Sequence, residues 1–278
     1  MKHVIPLSAL VLSFSALAAA GNIKCVANHG AADLNMPENS LAAFSNAVQR
    51  ASEIVNLAVR ATKDDVPVIS HDASLKRTMN WDVKIAARTY KDILATGSYQ
   101  WNGENSGYKI ATLGEALDIV KDIPEFWLDI KVFTPRLAEK AIHEFTSRGI
   151  SKDRIMCATS NYAAFPYLHD KHPGVRLVAQ ITTGRSHNGK YTCSLAQGQK
   201  FNSKREMLDA ILAYVKAKEL YGVSMPAAKG LTLPDDVTYL KKNGVWVALW
   251  LVQDPLTAAL YQDCAPDAFV TDHASRLR

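Results

Sequence analysis

Two short apolar runs decide the fold of this chain: residues 54–60 (IVNLAVR) and residues 67–71 (PVISH). Both have the β-branched composition of strands, and only residues 61–66 separate them. A crossover between parallel strands needs about a dozen residues or more. We therefore expect an antiparallel hairpin, of which only the first strand belongs to the main sheet.

Outside this hairpin, β-branched runs alternate with longer amphipathic segments. The other predicted strands are residues 23–28, 126–131, 154–158, 175–181, 220–225, 245–252 and 268–271. The predicted helices are residues 38–52, 113–121, 135–148, 162–171, 204–218, 233–242 and 256–263. With residues 54–60, eight strands alternate with helices in a chain of 278 residues. This pattern predicts a single-domain (β/α)8 TIM barrel, which typically needs roughly 250 residues, with a doubly wound open sheet as the alternative.

Two polar segments are expected to be loop insertions after the second and fifth strand units: residues 72–110 and residues 182–203. Barrel enzymes carry their substrate loops at the carboxyl ends of the strands. We therefore expect both insertions near the active site.

The start of the chain has the pattern of a secretory signal peptide. Lys2 and His3 form a basic beginning, residues 4–17 are apolar, and residues 18–20 are alanines. We expect residues 1–20 to be cleaved after Ala20, which leaves residues 21–278 as the barrel domain. The apolar run is shorter than the roughly 20 residues of a membrane-spanning helix. The prediction is an exported protein, periplasmic or secreted, without an integral membrane segment; an uncleaved N-terminal anchor is the alternative.

Charge and cysteine content limit the partners. The formal net charge is +5, and the cations are spread along the chain without a basic run, so nucleic acid is not an expected partner. Export permits disulfides among Cys25, Cys157, Cys193 and Cys264, but the sequence does not determine their pairing. Cys25 and Cys157 lie in strand-like runs and are expected to be buried thiols. The oligomeric state stays open.

Polar side chains cluster at the predicted carboxyl ends of the strands, where barrel enzymes hold their active sites. The candidate site residues are Asn28, His29, Asn56, Arg60, His71, Asp129, Lys131 and Trp250. Phosphodiester cleavage needs an acid and a base that exchange protons with the attacking and leaving oxygens, and positive charge near the phosphate. This set contains both kinds of group. The structural alternative is an ion pair at Arg60, a second between Lys131 and Asp129, and core packing of Trp250.

The order of several short motifs resembles that of the glycerophosphodiester phosphodiesterases over nearly the whole chain after residue 20. The motifs are residues 27–31 (ANHGA), 37–44 (PENSLAAF), 62–65 (TKDD), 68–72 (VISHD), 75–78 (LKRT), 112–117 (TLGEAL), 128–131 (LDIK), 250–254 (WLVQD) and 270–272 (VTD). The resemblance implies a TIM barrel that hydrolyses glycerophosphodiesters to an alcohol and glycerol 3-phosphate. It also implies two catalytic histidines and a divalent cation, calcium or magnesium, held by carboxylates.

Four candidate residues match positions of the family. His71 matches its second catalytic histidine. Asp129 and Lys131 match the carboxylate of the third strand, which would hold the metal, and the lysine that follows it. Trp250 matches a stacking tryptophan, so the resemblance implies that Lys131 and Trp250 contact substrate.

The first catalytic histidine has two candidate positions. A gapless match from the first strand places Asn28 there, whereas the spacing to Pro37 favours His29. Because asparagine does not accept a proton at neutral pH, we expect His29 to act as the general base and His71 as the general acid.

The metal positions depart from the family pattern. The Glu-x-Asp pair of the family falls on Asn56 and Ala58, which leaves Asp129 as the remaining carboxylate. Hard dications are held mainly by charged oxygen ligands, so we expect weak calcium or magnesium binding.

Three interpretations of this departure stay open. Arg60 and Lys131 would supply the positive charge without metal, or loop carboxylates such as Asp33 or Glu38 would complete the site. In the third, the protein binds a phosphodiester without cleaving it.

The sequence therefore predicts an exported phosphodiesterase-like hydrolase with histidine acid–base catalysis. Its partner would be a small phosphodiester or a phospholipid headgroup. The alternatives are an inactive family member that only binds such a ligand and a metal-independent phosphodiester lyase.

Overall fold

Eight parallel strands close into a barrel in the computed structural model, which describes residues 23–30, 36–101, 103–227, 231–273 and 276–277. The strands are β1 (Lys24–Ala27), β2 (Ile54–Ala61), β3 (Pro67–Ile69), β4 (Gln100–Trp101), β5 (Glu104–Asn105), β6 (Glu125–Ile130), β7 (Ile155–Thr159), β8 (Arg176–Gln180), β9 (Thr183–Arg185), β10 (Tyr191–Cys193), β11 (Gly222–Pro226), β12 (Trp246–Trp250) and β13 (Ala268–Thr271). The predicted signal peptide, residues 1–20, lies outside the described residues.

The strand order confirms the (β/α)8 barrel. Around the barrel the order is β1, β13, β12, β11, β8, β7, β6 and β2, and β1 also pairs with β2, which closes the ring. These neighbours are all parallel. A closed ring excludes the doubly wound open sheet.

The short connection between the two deciding runs produces the predicted hairpin. β3 pairs antiparallel with β2, with Val59 opposite Ile69 and Ala61 opposite Pro67. β3 therefore lies outside the ring, and its end is held above the carboxyl end of β2.

Helices follow most of the strands. They are α1 (Leu41–Gln49), α2 (Lys76–Met79), α3 (Tyr90–Thr96), α4 (Leu113–Val120), α5 (Pro135–Thr146), α6 (Ala164–Lys171), α7 (Lys204–Ala217), α8 (Pro234–Lys242) and α9 (Pro255–Tyr261). The predicted helix at residues 38–52 begins later, at Leu41, because the Ser40 side chain caps it by accepting the backbone N–H of Ala43.

The two long connections have structure of their own. Residues 72–110 contain α2, α3 and the β4–β5 hairpin, and a small apolar cluster that includes Leu75, Ile85 and Ile93 holds them against β3. Residues 182–203 contain the β9–β10 hairpin. Sequence periodicity did not reveal these elements, because each is shorter than the window in which a period becomes visible.

The barrel interior is a packed core below an open mouth. Val26, Ile54, Trp127, Met156 and Val178 are among the buried side chains that fill it. A second apolar layer lies between the strands and the helices. Within the described barrel interior, space for a ligand is therefore found at the carboxyl ends of the strands.

The burial of the cysteines and the hydropathy of the helices can be compared with the expectations from the sequence. Cys25, Cys157 and Cys193 are buried, and Cys264 is partly buried. Burial of Cys25 and Cys157 agrees with the expectation from their strand positions, and it raises the pKa of Cys157. Within the described residues, no helix has the length and apolar character needed to cross a bilayer.

Gly222 allows β11 and β12 to approach each other. A Cβ at this position would lie 2.3 Å from the carbonyl oxygen of Trp246, its register partner. We expect Gly222→Ala to destabilise the protein by about 1–3 kcal/mol, measured by urea unfolding, because backbone cannot yield as a side chain does. In the control, Gly184→Ala, the nearest atom is the mobile Thr192 hydroxyl at 3.1 Å. Equal losses in both variants would contradict this account.

Candidate active site

A tight turn at the end of β1 directs His29 into the barrel mouth. Residues Asn28–Gly30 form a short 3-10 turn in which His29 has φ +51° and Gly30 has φ +83°. A Cβ on Gly30 would lie 2.9 Å from the backbone carbon of Ala43, so only glycine allows α1 to pack this closely. Left-handed backbone is uncommon for residues other than glycine, and such conformations cluster at functional sites.

The β2–β3 hairpin brings His71 to the same place. Arg60 of β2 donates hydrogen bonds from Nε (3.0 Å) and Nη2 (2.7 Å) to the carbonyl oxygen of His71. The rings of His29 and His71 lie edge to face, with centroids 5.3 Å apart and planes at 80°. The two histidines proposed from the sequence as base and acid are therefore neighbours.

Each imidazole has a carboxylate at Nδ1. Asp72 Oδ1 lies 2.8 Å from Nδ1 of His71, and Asp272 Oδ1 lies 3.2 Å from Nδ1 of His29. The Asn28 amide is 3.3 Å from the same His29 nitrogen, but it donates its hydrogen bond to Asp272 at 2.8 Å. Because a carboxylate accepts hydrogen bonds, we place a proton on Nδ1 of each ring, facing its carboxylate. With Nδ1 bonded to a carboxylate, Nε2 of each ring is the nitrogen available for proton exchange with a substrate.

Asp272 is held in its ionised form. Burial raises the pKa of this carboxyl, but the hydrogen bond and charge of His29 and the hydrogen bonds from Gln253 and Asn28 outweigh burial and lower the pKa. Asp272 therefore orients both the His29 ring and the Asn28 amide at the end of β1.

Arg77 connects the segments that carry the two histidines. Its Nη1 and Nη2 donate to the two carboxylate oxygens of Glu38 at 2.7 and 2.8 Å. Its Nε donates to Asp72 Oδ2 at 2.6 Å. Arg77 and Glu38 lie in two different sequence motifs, 39 residues apart. The sequence alone therefore did not predict that they are in contact.

These contacts shift three pKa values. The hydrogen bond from Arg77 lowers the pKa of Asp72 to about 2. Burial raises the pKa of Glu38, but the hydrogen bonds and charge of Arg77 and the charges of both histidines bring it below its ordinary value. The same pairs raise the pKa of Arg77. Both carboxylates are therefore ionised and occupied at neutral pH.

A cavity of about 240 Å³ opens beside the two imidazoles. Seven of the eight predicted site residues line it: Asn28, His29, Asn56, His71, Asp129, Lys131 and Trp250. Five residues that the sequence did not single out also line it: Trp127, Gln180, Ser224, Leu251 and Val270. Arg60 does not line it, because its guanidinium bonds the carbonyl behind His71.

A nearly buried ion pair supplies the cation of this cavity. Nζ of Lys131 lies 2.6 Å from Oδ2 of Asp129, and their side chains are 16% and 6% exposed. Removing one partner of such a pair leaves an uncompensated buried charge, which is strongly destabilising. The pair therefore fixes the Lys131 ammonium at the cavity wall.

Comparison with known proteins gives the family. The model of the glycerophosphoryl diester phosphodiesterase family matches residues 29–276. The chain belongs to this family. It is 24% identical to a glycerophosphodiester phosphodiesterase of Caldanaerobacter subterraneus subsp. tengcongensis over 249 residues, which cover 87% of this chain and 91% of that protein. A shorter match, to a glycerophosphodiester phosphodiesterase of Bacillus altitudinis, is 26% identical over 149 residues and covers 51% of this chain and 60% of the relative.

Solved structures show the same fold. A phosphodiesterase of Oleispira antarctica, in complex with the product sn-glycerol-3-phosphate, superposes with a TM-score of 0.73. It is 20% identical, and the match covers 91% of this chain and 94% of that one. At this identity the likeness concerns the barrel alone.

The residues of this family member do not fit the divalent cation that the family resemblance implies. The register places Ala58 beside Asp129 and Asn56 beside Trp127, so β2 carries no carboxylate at the mouth. The carboxylate of β6 that lines the cavity, Asp129, is already paired with Lys131. Among the described residues, no group of three or more His, Cys, Asp or Glu side chains is arranged to hold a metal ion.

Two polar atoms at this cavity are unsatisfied. Asn56 Oδ1 and Ser224 Oγ are buried and have no hydrogen-bond partner in the described structure. An unsatisfied buried polar group costs about 1–3 kcal/mol. Asn56, which the resemblance matches to a metal ligand, is therefore a neutral amide whose oxygen has no hydrogen-bond partner among the described residues.

Arg77 should stabilise the protein only where Asp72 and Glu38 are ionised. Both folded-state pKa values are depressed, so this stabilisation is fully present above the unfolded pKa values and is lost as pH falls towards 2. We expect Arg77→Gln to lower the free energy of unfolding by roughly 1 kcal/mol at neutral pH, since these groups are partly exposed. The difference from wild type should shrink below about pH 4.

Urea midpoints measured from pH 7 to pH 2 test this prediction. Lys76→Gln is the control, because Lys76 is in the same helix and pairs with the exposed Asp82. A difference between wild type and Arg77→Gln that is the same at every pH would show that the carboxylates are not the partners that matter.

Proposed function

We propose that this protein is an exported phosphodiesterase that hydrolyses glycerophosphodiesters or related phospholipid headgroups with His29 and His71 as base and acid. The observation that carries the proposal is the pair of imidazoles, 5.3 Å apart, beside a cavity that also presents the Lys131 ammonium. Acid, base and cation are the three groups that phosphodiester cleavage requires.

In this mechanism Lys131 binds a non-bridging phosphate oxygen and stabilises the charge that grows there. Nε2 of His29, whose proton is on Nδ1, takes a proton from the attacking water. His71 begins the step as an imidazolium with protons on both ring nitrogens, and its Nε2 gives a proton to the leaving alkoxide. The products are an alcohol and a phosphomonoester. The carboxylate at each Nδ1 orients the ring and stabilises its imidazolium form.

We propose that this reaction does not depend on a divalent cation. Asn56 and Ala58 offer no charge, and Asp129 is paired with Lys131. Of the two loop carboxylates considered from the sequence, Glu38 is held by two hydrogen bonds from Arg77, and Asp33 lies outside the described residues. The cation at the phosphate is then Lys131 itself.

Two alternatives share this site. Loss of the metal carboxylates favours a protein that binds a phosphodiester without cleaving it. A lyase would use a hydroxyl of the substrate in place of water and release a cyclic phosphate; the same Lys131 and histidines would serve it.

Export is part of the proposal and rests on residues 1–20. Their basic start, apolar run and alanine triplet are the pattern that signal peptidases cleave. A mature N-terminus other than Gly21, determined by mass spectrometry of the protein from the natural host, would argue against this cleavage site.

Turnover of glycerophosphocholine and glycerophosphoethanolamine tests the hydrolase. We expect wild type to release glycerol 3-phosphate, and His71→Ala and His29→Ala each to lower kcat/KM at least about 100-fold. His143→Asn, at an exposed histidine of α5, is the matched control. A hydrolase would release a linear phosphomonoester, whereas a lyase would release a cyclic phosphate, so the product distinguishes the two reactions.

If wild type matches His71→Ala, the hydrolase is wrong. Calorimetric affinity for the uncleaved diester would then support the binding protein. Turnover that EDTA abolishes would contradict the metal-independent mechanism.

Carboxylates at two positions should create the site that this chain lacks. We expect Asn56→Glu/Ala58→Asp to bind calcium, measured by calorimetry, with an affinity at least about tenfold above that of wild type, because three carboxylates would then face one mouth. Asn56→Gln/Ala58→Ser is the uncharged control. Equal calcium affinity in wild type and the charged variant would show that the missing carboxylates are not the reason for the misfit.

A further inference from the structure

A second cavity is lined by residues that closely follow His71 and Lys131 in the chain. It encloses about 380 Å³, more than the cavity of the candidate active site. Ala73 and Val132 line it, two residues after His71 and one residue after Lys131. The two cavities are therefore both lined by the chain segments 71–73 and 131–132.

The second cavity has an excess of positive charge. Arg60, Lys63 and Lys84 line it, and its one lining carboxylate, Asp65, is engaged by Arg136 at 3.1 Å. Within the described part of the chain, Lys63 and Lys84 form no ion pair. Burial lowers the pKa of Arg60, and only the charges of Asp129 and Asp72 oppose this effect. An anion in the cavity would balance three cations.

Apolar side chains in the lining would strengthen the attraction between these cations and a bound anion. Ile85 and Leu137 are buried apolar side chains of this lining, and Val132 is 53% exposed at it. Apolar walls lower the local dielectric, so a charge pair formed against them is worth more than one on an open surface. The lining thus combines cations with a partly dry surface.

The position of the cavity relative to His71 indicates which part of a substrate would reach it. If His71 protonates the leaving alcohol, that alcohol lies on the His71 side of the phosphate. Arg60 touches both places, because it lines the second cavity and bonds the carbonyl oxygen of His71. A charged alcohol group would extend across residues 71–73 towards Arg60.

We propose that the second cavity is an anion-binding subsite that takes a phosphate or carboxylate on the alcohol part of the substrate. The inference rests on the proposed function, since it assigns the leaving side of that reaction. It makes the preferred substrates glycerophosphodiesters whose alcohol has a second negative group.

Two diesters that differ by one phosphate test the subsite: glycerophosphoglycerol and its terminally phosphorylated form. We expect wild type to prefer the phosphorylated diester about tenfold in kcat/KM, mainly through KM, because two lysines contribute to its binding. Lys63→Gln/Lys84→Gln should reduce the preference to about onefold and leave glycerophosphoglycerol unchanged. Arg60 is not substituted, because it also holds His71.

The matched control is Lys216→Gln/Lys242→Gln, which removes two exposed lysines at the ends of α7 and α8. It should keep the preference of wild type. A preference absent from wild type, or one that survives Lys63→Gln/Lys84→Gln, would overturn the subsite while turnover keeps the proposed function intact.

Calorimetry with the same diesters separates the two proposals. If neither is cleaved, the proposed hydrolase is wrong, but tighter binding of the phosphorylated diester that is lost in Lys63→Gln/Lys84→Gln still supports the subsite. If both diesters bind equally and only inorganic phosphate depends on the two lysines, the cavity binds a separate anion, and the substrate subsite is wrong.

Discussion

The parallel pairing of β1 with β2 is the constraint on which the mouth of this barrel depends. It closes the ring through Val26 opposite Ile54 and Ala27 opposite Val55. Because β1 and β2 are neighbours, the turn after β1 and the hairpin after β2 rise side by side. The approach of His29 to His71 is a direct consequence, and Asp72 and Arg77 at the start of the first insertion then hold it through hydrogen bonds.

The carboxylates described at the mouth each have a partner at hydrogen-bond distance. Arg77 serves two carboxylates, Lys131 serves Asp129, and Asp272 serves His29. Such pairing keeps each charge tolerable in a partly buried place. It also means that the carboxylates of this mouth already have partners, which is the physical reason why a dication has no place among the residues described.

The mouth lacks carboxylates on β2 but contains a fixed cation, Lys131, directly after β6. With Asn56 and Ala58 on β2, Asp129 has only Lys131 as a neighbouring charge at hydrogen-bond distance. A lysine ammonium is a compact point charge that binds phosphate oxygens. The mouth thus contains a fixed ammonium group, whereas the described residues offer no group of side chains arranged to hold a metal ion.

Local sequence was sufficient for the framework. Nine strand-like runs all became strands, and the hairpin followed from six connecting residues, because chain length alone forbids a parallel crossover there. The burial of Cys25 and Cys157 also followed from their strand positions. These features depend on hydrophobic periodicity and on the length of the connecting segments, both of which can be read from the sequence.

Long-range geometry decided the site. The sequence left both Asn28 and His29 open as the first histidine position. Both line the cavity, and a left-handed turn that Gly30 allows against α1 brings the His29 ring to 5.3 Å from the His71 ring. Likewise, the Arg77 contact to Glu38 joins residues 39 positions apart, and Arg60 turned out to support His71 from behind. Sequence determined which groups end at the mouth, but only folding decided which of them touch, since those contacts are made between segments that no local pattern relates.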